Sequence, residues 1–296
     1  MQVKIAGNGN FCDPRIGLDI KHYDMRYRYL FLLMIPLVMY GCKKEKGIMD
    51  PPSPPPASPV LLKDIVIPNL PSPYYHFEYD TSGKVKFVSF ASELTRYDIF
   101  YEGGRISEMR NNILVNKDRL QYSYDNEGKV FLIQYADSAG VVFARSFFTY
   151  AGQQLIKAER FHKTAGGFVI DRTMTMQYDT NNNLLELTDH RPPFDGQTEA
   201  TFIDRFGQYD DKINVDGFSR LHPDFFEHLF LLPGVQLQKN NPGKETRTGD
   251  GINYEINYTY TYSNMNAPLT QAGEVTITNG ANPGQKFHTS ATYTYY

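Results

Sequence analysis

The chain has no tryptophan, two cysteines in 296 residues, and no strong excess of charge of either sign. Each shortage removes a class of protein. Two cysteines cannot build a disulfide scaffold. A net charge of −3 and a pI near 6.2 leave no basic footprint for a phosphate backbone, so no nucleic-acid partner is expected. The longest apolar run, Leu30 to Tyr40, is short of the ~20 residues that a membrane-spanning helix requires. There is also no Gly-x-Ser-x-Gly elbow and no glycine-rich phosphate loop. What is present is 41% hydrophobic residues, with 22 Tyr and 20 Phe, against 21% charged ones. That is enough to bury a core.

The first 73 residues read as an address and a tether. Asp13, Asp19 and Asp24 precede the basic start of an export signal, so residues 1–24 are assigned to a mis-assigned upstream start, with translation beginning at Met25. Residues 25–41 read as a lipoprotein signal peptide: Arg26 and Arg28, the apolar run, and Gly41 directly before Cys42. A small residue at 41 lets a signal peptidase approach, and the Cys42 thiol would carry the lipid; Met39 stands where an aliphatic residue is usual. Acyl chains contribute ~0.8 kcal/mol per buried methylene, so two or three anchor stably. Residues 42–73 follow as the lipidated cysteine and a spacer, its Asp50–Pro59 tract extended as polyproline II at ~3.1 Å per residue. The expected location is the cell envelope, at the outer membrane or cell surface.

From residue 74 the text repeats. Tyr79-Asp80-Thr81-Ser82-Gly83-Lys84-Val85 returns as Tyr124-Asp125-Asn126-Glu127-Gly128-Lys129-Val130 and, more loosely, as Tyr178-Asp179-Thr180-Asn181-Asn182-Asn183-Leu184. Shorter copies start at Tyr101 and Tyr150, with Gly103-Gly104 and Gly152 at their turns. The chemistry is that of hairpin tips: Asp80, Asp125 and Asp179 cap nearby amides, Gly83 and Gly128 supply positive φ, and Asn183 is assigned to that role in the third copy.

The segments between turns alternate with period two. From 252 to 262 the even positions are Ile252, Tyr254, Ile256, Tyr258, Tyr260 and Tyr262, and the odd ones are polar. Met174, Met176 and Tyr178 alternate likewise with Thr173, Thr175 and Gln177, and 274–278 suits pairing with 287–295. Residues 74–296 are therefore expected to form an all-β, antiparallel meander of hairpins, curled over its aromatic face into a curved open sheet or half-barrel. Leu221, Phe225, Phe226, Leu229, Phe230 and Leu232 fall at helical spacing, which predicts one short helical insertion near 218–232.

The Tyr-Asp-x-x-Gly-Lys-Val units resemble the YD repeats of RHS-type proteins, and the layout resembles uncharacterised bacterial lipoproteins with YD-like repeats. The resemblance implies a fold and no activity. His222, Asp224, Glu227 and His228 lack metal-ligand order, the Asp turns lack a calcium loop's closing Glu, and Asp189-His190 sits in loop composition. No metal, cofactor or catalysis is expected. The function inferred is a membrane-anchored surface, held by lipid on Cys42, that presents hairpin repeats to a protein or glycan partner. The alternative is a glycan-binding or glycan-hydrolysing envelope protein using aromatics and carboxylates on the concave face.

Overall fold

The structure is a computed structural model and describes residues 60–113, 117–222 and 228–296, all within the compact unit Ala57–Tyr296. Cys42, the signal and the proline tract lie outside the described residues. The first eight strands are β1 (Leu62–Val66), β2 (Tyr75–Tyr79), β3 (Val85–Phe90), β4 (Thr95–Glu102), β5 (Arg105–Asn111), β6 (Arg119–Tyr124), β7 (Val130–Ala136) and β8 (Val142–Ala151). The second eight are β9 (Gln154–Thr164), β10 (Gly167–Tyr178), β11 (Leu184–Arg191), β12 (Ala200–Gly207), β13 (Lys244–Gly249), β14 (Tyr254–Tyr262), β15 (Pro268–Ile277) and β16 (Lys286–Tyr295). Every strand pairs antiparallel with its sequence neighbours, and β1 pairs with β16, so the sheet is a closed barrel.

Closure corrects the expected open sheet or half-barrel. The strand that closes it, β1, lies inside the stretch assigned to the spacer. Leu62 and Ile65 are buried, and Ile65 pairs with Tyr293 on one side and Tyr75 on the other. Five residues after a proline tract carry too little alternation to stand out.

Each repeat unit is a clasp between successive hairpins. The ladder slips by one residue next to Tyr79, Tyr101, Tyr124, Tyr150 and Tyr178, and such bulges bend and twist a sheet toward closure. The hydroxyls of the last four donate to the carbonyl just past the preceding turn, Tyr101 to Val85 (2.8 Å), Tyr124 to Ile106 (2.8 Å), Tyr150 to Val130 (2.9 Å) and Tyr178 to Leu155 (2.6 Å), and that of Tyr79 donates to Leu62 O on β1 (2.9 Å). Lys84, Arg105 and Lys129 lie over the rings of Tyr101, Tyr124 and Tyr150. The repeat thus places a ring and hydroxyl, a capping acid, a turn glycine, a cation for the next ring, and an aliphatic carbonyl for the next hydroxyl.

The lumen is filled. Residues 208–222 and 228–243, between β12 and β13, enter from the rim that carries the tyrosine repeats and pack apolar side chains into the core, with Leu229 and Leu237 fully buried. Phe218 meets Phe77 and Tyr75 edge-on, His222 Nδ1 lies 3.2 Å from the Tyr75 hydroxyl, and the Tyr122 hydroxyl donates to Leu231 O (2.9 Å). Burying each such leucine stabilises by roughly 1.5–3 kcal/mol. The helix expected near 218–232 is not formed among the described residues: one 3-10 turn spans Ser219–Leu221, 228–232 is irregular, and 223–227 lie outside them. Among the described residues of this stretch, Leu221 and Leu229 are buried and Phe230, Leu231 and Leu232 half-buried against the core.

The outer wall is mixed, with Phe100, Phe131 and Leu185 exposed among charged side chains. Ion pairs Lys86–Glu78, Arg110–Glu108, Arg205–Glu186, Lys244–Glu255 and Lys286–Glu274 stand on outward positions around the circumference. Outward rings are partly covered: Arg96 lies over Phe87, Arg110 over Phe100 and Arg145 over Phe168.

Candidate functional site

The inner face of β8–β10 brings Ser146, Arg160 and Arg172 side by side, one row from Phe148, Ala158 and Met174. Between Ile170 and Arg172 the β9–β10 register slips, leaving Asp171 without a partner in that ladder. The bulge turns Asp171 inward beside Arg172, and both are buried. Arg160 donates to Asp171 through Nε and Nη2 (3.0 and 2.7 Å), and His162 Nδ1 lies 2.9 Å from the same carboxylate. Arg172 grips Asp189 with two bonds (2.8 and 2.9 Å), and Arg191 adds two more through Nε and Nη2 (3.0 and 2.7 Å).

The ionic row continues around the wall. Arg247 forks onto Asp204 (2.6 and 2.7 Å). Arg220, from the insert, reaches Glu245 at 3.0 Å, and that carboxylate also accepts from the Tyr258 and Tyr254 hydroxyls (2.8 and 3.1 Å). Burial pushes the pKa of Asp171 up, but bonds from His162 and Arg160 outweigh it and hold the carboxyl below its ordinary value. The same contest ends the same way at Asp189, through Arg172 and Arg191, and at Glu245, through Arg220. Asp216 goes the other way: burial lifts it to about 6.

Against the β7–β10 wall the insert leaves a cavity of about 230 Å³. Tyr135, Phe143, Phe148, Met174 and Phe230 make its apolar side, and Arg160, His162 and Arg172 its basic side. His228, from the insert, closes it near Tyr135 and Phe143 while its Nδ1 lies 2.6 Å from the Tyr97 hydroxyl. A second, open depression of about 770 Å³, by the β11–β12 connection, is lined by Arg191, Phe194 and Phe202 and shares Arg160 and His162 with the cavity. Those two side chains therefore stand between the rim and the lumen.

The residues singled out from sequence lie elsewhere. Asp80, Asp125 and Asp179 accept bonds from amides two and four residues on, and Gly83, Gly103, Gly104, Gly128 and Gly152 all have positive φ. Asn183 requires correction: Asn182, at φ +66, takes the glycine position, while Asn183 is buried and ties the insert by accepting from Asn240 N (2.9 Å). His222 and His228 contact different tyrosines, Asp224 and Glu227 lie outside the described residues, and no metal-ligand cluster forms among the described residues. Asp189 points inward, whereas His190 points outward toward Glu199 (2.9 Å). The expected concave aromatic platform is an enclosed wall, with Tyr75, Tyr97 and Tyr293 buried.

The ionic row escaped notice because a charged residue within an alternating strand is assigned outward by default. One signal was available. Extending the inward phase of Met174, Met176 and Tyr178 back by one step reaches Arg172. The bulge that turns Asp171 inward leaves no such trace.

No protein-family model matches the chain, and the comparison with curated proteins yields no match. Among solved structures the chain is similar to a porin-like protein from Bacteroides uniformis, with TM-score 0.52 and 13% identity over 80% of this chain and 95% of that one. It is similar also to a porin-like protein from Bacteroides vulgatus, with TM-score 0.54 and 12% identity over 80% and 99%. These likenesses show the fold: a porin-like, 16-stranded barrel. A partial match to TcdB2-TccC3, with TM-score 0.21 and 10% identity over 71% of this chain and 14% of that one, carries no argument, and the YD-repeat resemblance gains no support.

Proposed function

We propose that the protein is a lipid-anchored cell-envelope protein whose barrel faces water and binds a ligand or partner rather than conducting solutes. The single observation behind this reading is the packed lumen inside a wall whose outer face carries ion pairs. A membrane barrel carries an apolar band outside and a polar interior. Here ion pairs stand all around the outside between exposed apolar side chains, and the inside holds a hydrophobic core beside a buried ionic row. An Arg or Lys on the lipid face costs about 2–4 kcal/mol at the bilayer midplane. Moreover β1 and β2, at five residues each, reach only about 17 Å, against the ~25 Å apolar band of such barrels. Membrane attachment then falls to a lipid on Cys42.

Catalysis is not part of the proposal. The lumenal carboxylates Asp171 and Asp189 are held ionised by arginines, unsuited to act as a general acid. Asp216 has the raised value an acid needs, but borders a space of about 20 Å³, room for a water and not for a sugar ring.

Full-length protein expressed in a Gram-negative host should incorporate labelled palmitate, and Cys42→Ala should not. The Cys42→Ala protein should stay soluble without detergent and produce no conductance steps in a planar bilayer. Persistent label in Cys42→Ala would remove the anchor, and stepwise conductance would remove the water-facing barrel.

A further inference from the structure

We infer that the mouth of the barrel at the β12–β16 side, on the rim opposite the tyrosine repeats, is a binding site for a neutral, mainly apolar small molecule held between the rings of Phe202, Tyr254 and Phe287. The site gives a ligand class to the water-facing barrel proposed above and rests on that reading, though not on the lipid anchor.

Strand phase turns these rings inward. Phe287 pairs with Val275 and Val275 with Ile256, and both partners are buried, so the three share the inner face. Tyr254 pairs with Arg247 and Ile277, and Phe202 with the inward Asp189. Yet Phe287 is 47% exposed, and Ile252, just before β14, is 66% exposed. They border a space of about 800 Å³, within the range of small-molecule sites. Inward rings left open to water in a concavity mark a binding surface rather than a core.

The mouth is preformed. Asn279 accepts from Asn253 N (2.7 Å) and donates to Gly251 O (3.0 Å), which ties the β15–β16 connection to the β13–β14 connection. Asp250 accepts from Thr201 N (2.7 Å) and donates its own amide to Thr201 O (2.9 Å), which ties the latter connection to β12. Arg247 lies over both Phe202 and Tyr254, and the Tyr254 hydroxyl is held by Glu245. Walls fixed in this way lose little freedom when a ligand enters.

Charge selects the class. Among the described residues lining this space Arg247 alone is charged, and Asp204 takes its fork from behind. The other polar groups are the amides of Asn279, Asn282 and Gln285, suited to a hydroxyl or carbonyl at the edge of the ligand. A charged ligand would give up hydration against Ile252, Ile277 and Phe287 with no counter-charge in return.

Fluorescence titration of the full chain carrying Cys42→Ala with phenylnaphthylamine, a neutral apolar probe, tests the site. The probe should bind, naphthylmethanol should displace it, and naphthoate and naphthylmethylammonium should displace it about tenfold more weakly or worse. Ile252→Thr with Phe287→Thr should weaken the probe about tenfold or more, and Ile252→Thr alone, outside any strand, about threefold. Phe131→Thr, which removes an exposed ring from the outer wall, should change nothing. Thermal unfolding checks that each variant keeps the barrel. Sedimentation without detergent is scored first: a chain that needs detergent refutes the water-facing barrel and this site with it. A soluble chain that takes up no probe, prefers either charged naphthalene, binds equally well in the folded Ile252 and Phe287 variants, or loses the probe equally in Phe131→Thr overturns the site alone.

Discussion

The inner faces of β2–β7 and of β9–β13 share one ladder, yet the first is apolar whereas the second adds an ionic row to its apolar residues. The first is Phe77, Val88, Tyr97, Met109, Leu120 and Ile133, packed on Phe218, Leu229 and Leu231. The second carries Leu155, Met174, Leu184 and Leu187 in the same core, and beside them Arg160, Asp171, Arg172, Asp189, Asp204, Glu245 and Arg247. Apolar burial stabilises directly, whereas a buried ion pair recovers little more than its own desolvation cost. The apolar residues of both faces therefore supply the stability, and the ionic row adds little to it. The second holds charge in fixed places, which is what a binding wall requires.

The contrast can be broken most severely at Asp189. Asp189→Ala leaves Arg172 buried beside a missing counter-charge and should cost about 3–5 kcal/mol in urea unfolding. Replacing Asp189 together with both arginines that bind it, Arg172→Met and Arg191→Met with Asp189→Leu, should cost less than Asp189→Ala alone. A larger loss in the triple variant would show that the ionic face is itself a stabilising core. On the apolar side, Leu237→Ala should cost about 2–5 kcal/mol, with no recovery from any second substitution of like kind.

Acid should separate the two faces further. Asp171, Asp189 and Glu245 have lowered folded-state values, so their contribution is complete above the ordinary carboxyl range and is lost as pH falls below about 4. Asp216, raised to about 6, has the opposite sign: its contribution is present at low pH and is lost as pH rises through about 6. The melting temperature should climb slightly from pH 7 to 5 and then drop below about 4, and Asp216→Asn should flatten the upper limb alone. The smallest effect belongs to the rim, where Tyr101→Phe removes one clasp and should cost about 0.5–1.5 kcal/mol in the same unfolding assay.

The all-β, antiparallel character was legible because alternation such as Tyr254 to Tyr262 is local, and the structure pairs that strand with β15 through its length. Closure was not, because it depends on six or more bulges acting together and on β1, whose Leu62 and Ile65 are a faint signal. The insert defeated periodicity for a different reason. Phe218, Leu229 and Leu237 are apolar because wall surrounds them, and the helix template assumes one buried side. Asn183 is one position off: Gly83 and Gly128 stand four residues after Tyr79 and Tyr124, and the residue four after Tyr178 is Asn182, which has the positive φ, while Asn183 is a tether. The ionic row of the candidate site needed both a strand phase and a bulge, and only the phase is written in the sequence.

Closure rests on β1, a strand of five residues. The seam between β1 and β16 joins residues some 230 positions apart, with Thr294 Oγ1 donating to Asp64 at 2.9 Å, whereas every other seam joins strands next to each other in the chain. A ring assembled from local hairpins can zip around its circumference cheaply, but must meet the entropy of its largest loop in one final join. Amides of Asp64 to Val66 are thus the place where hydrogen exchange should first betray the barrel breathing, while the tyrosine-clasped hairpins remain shut.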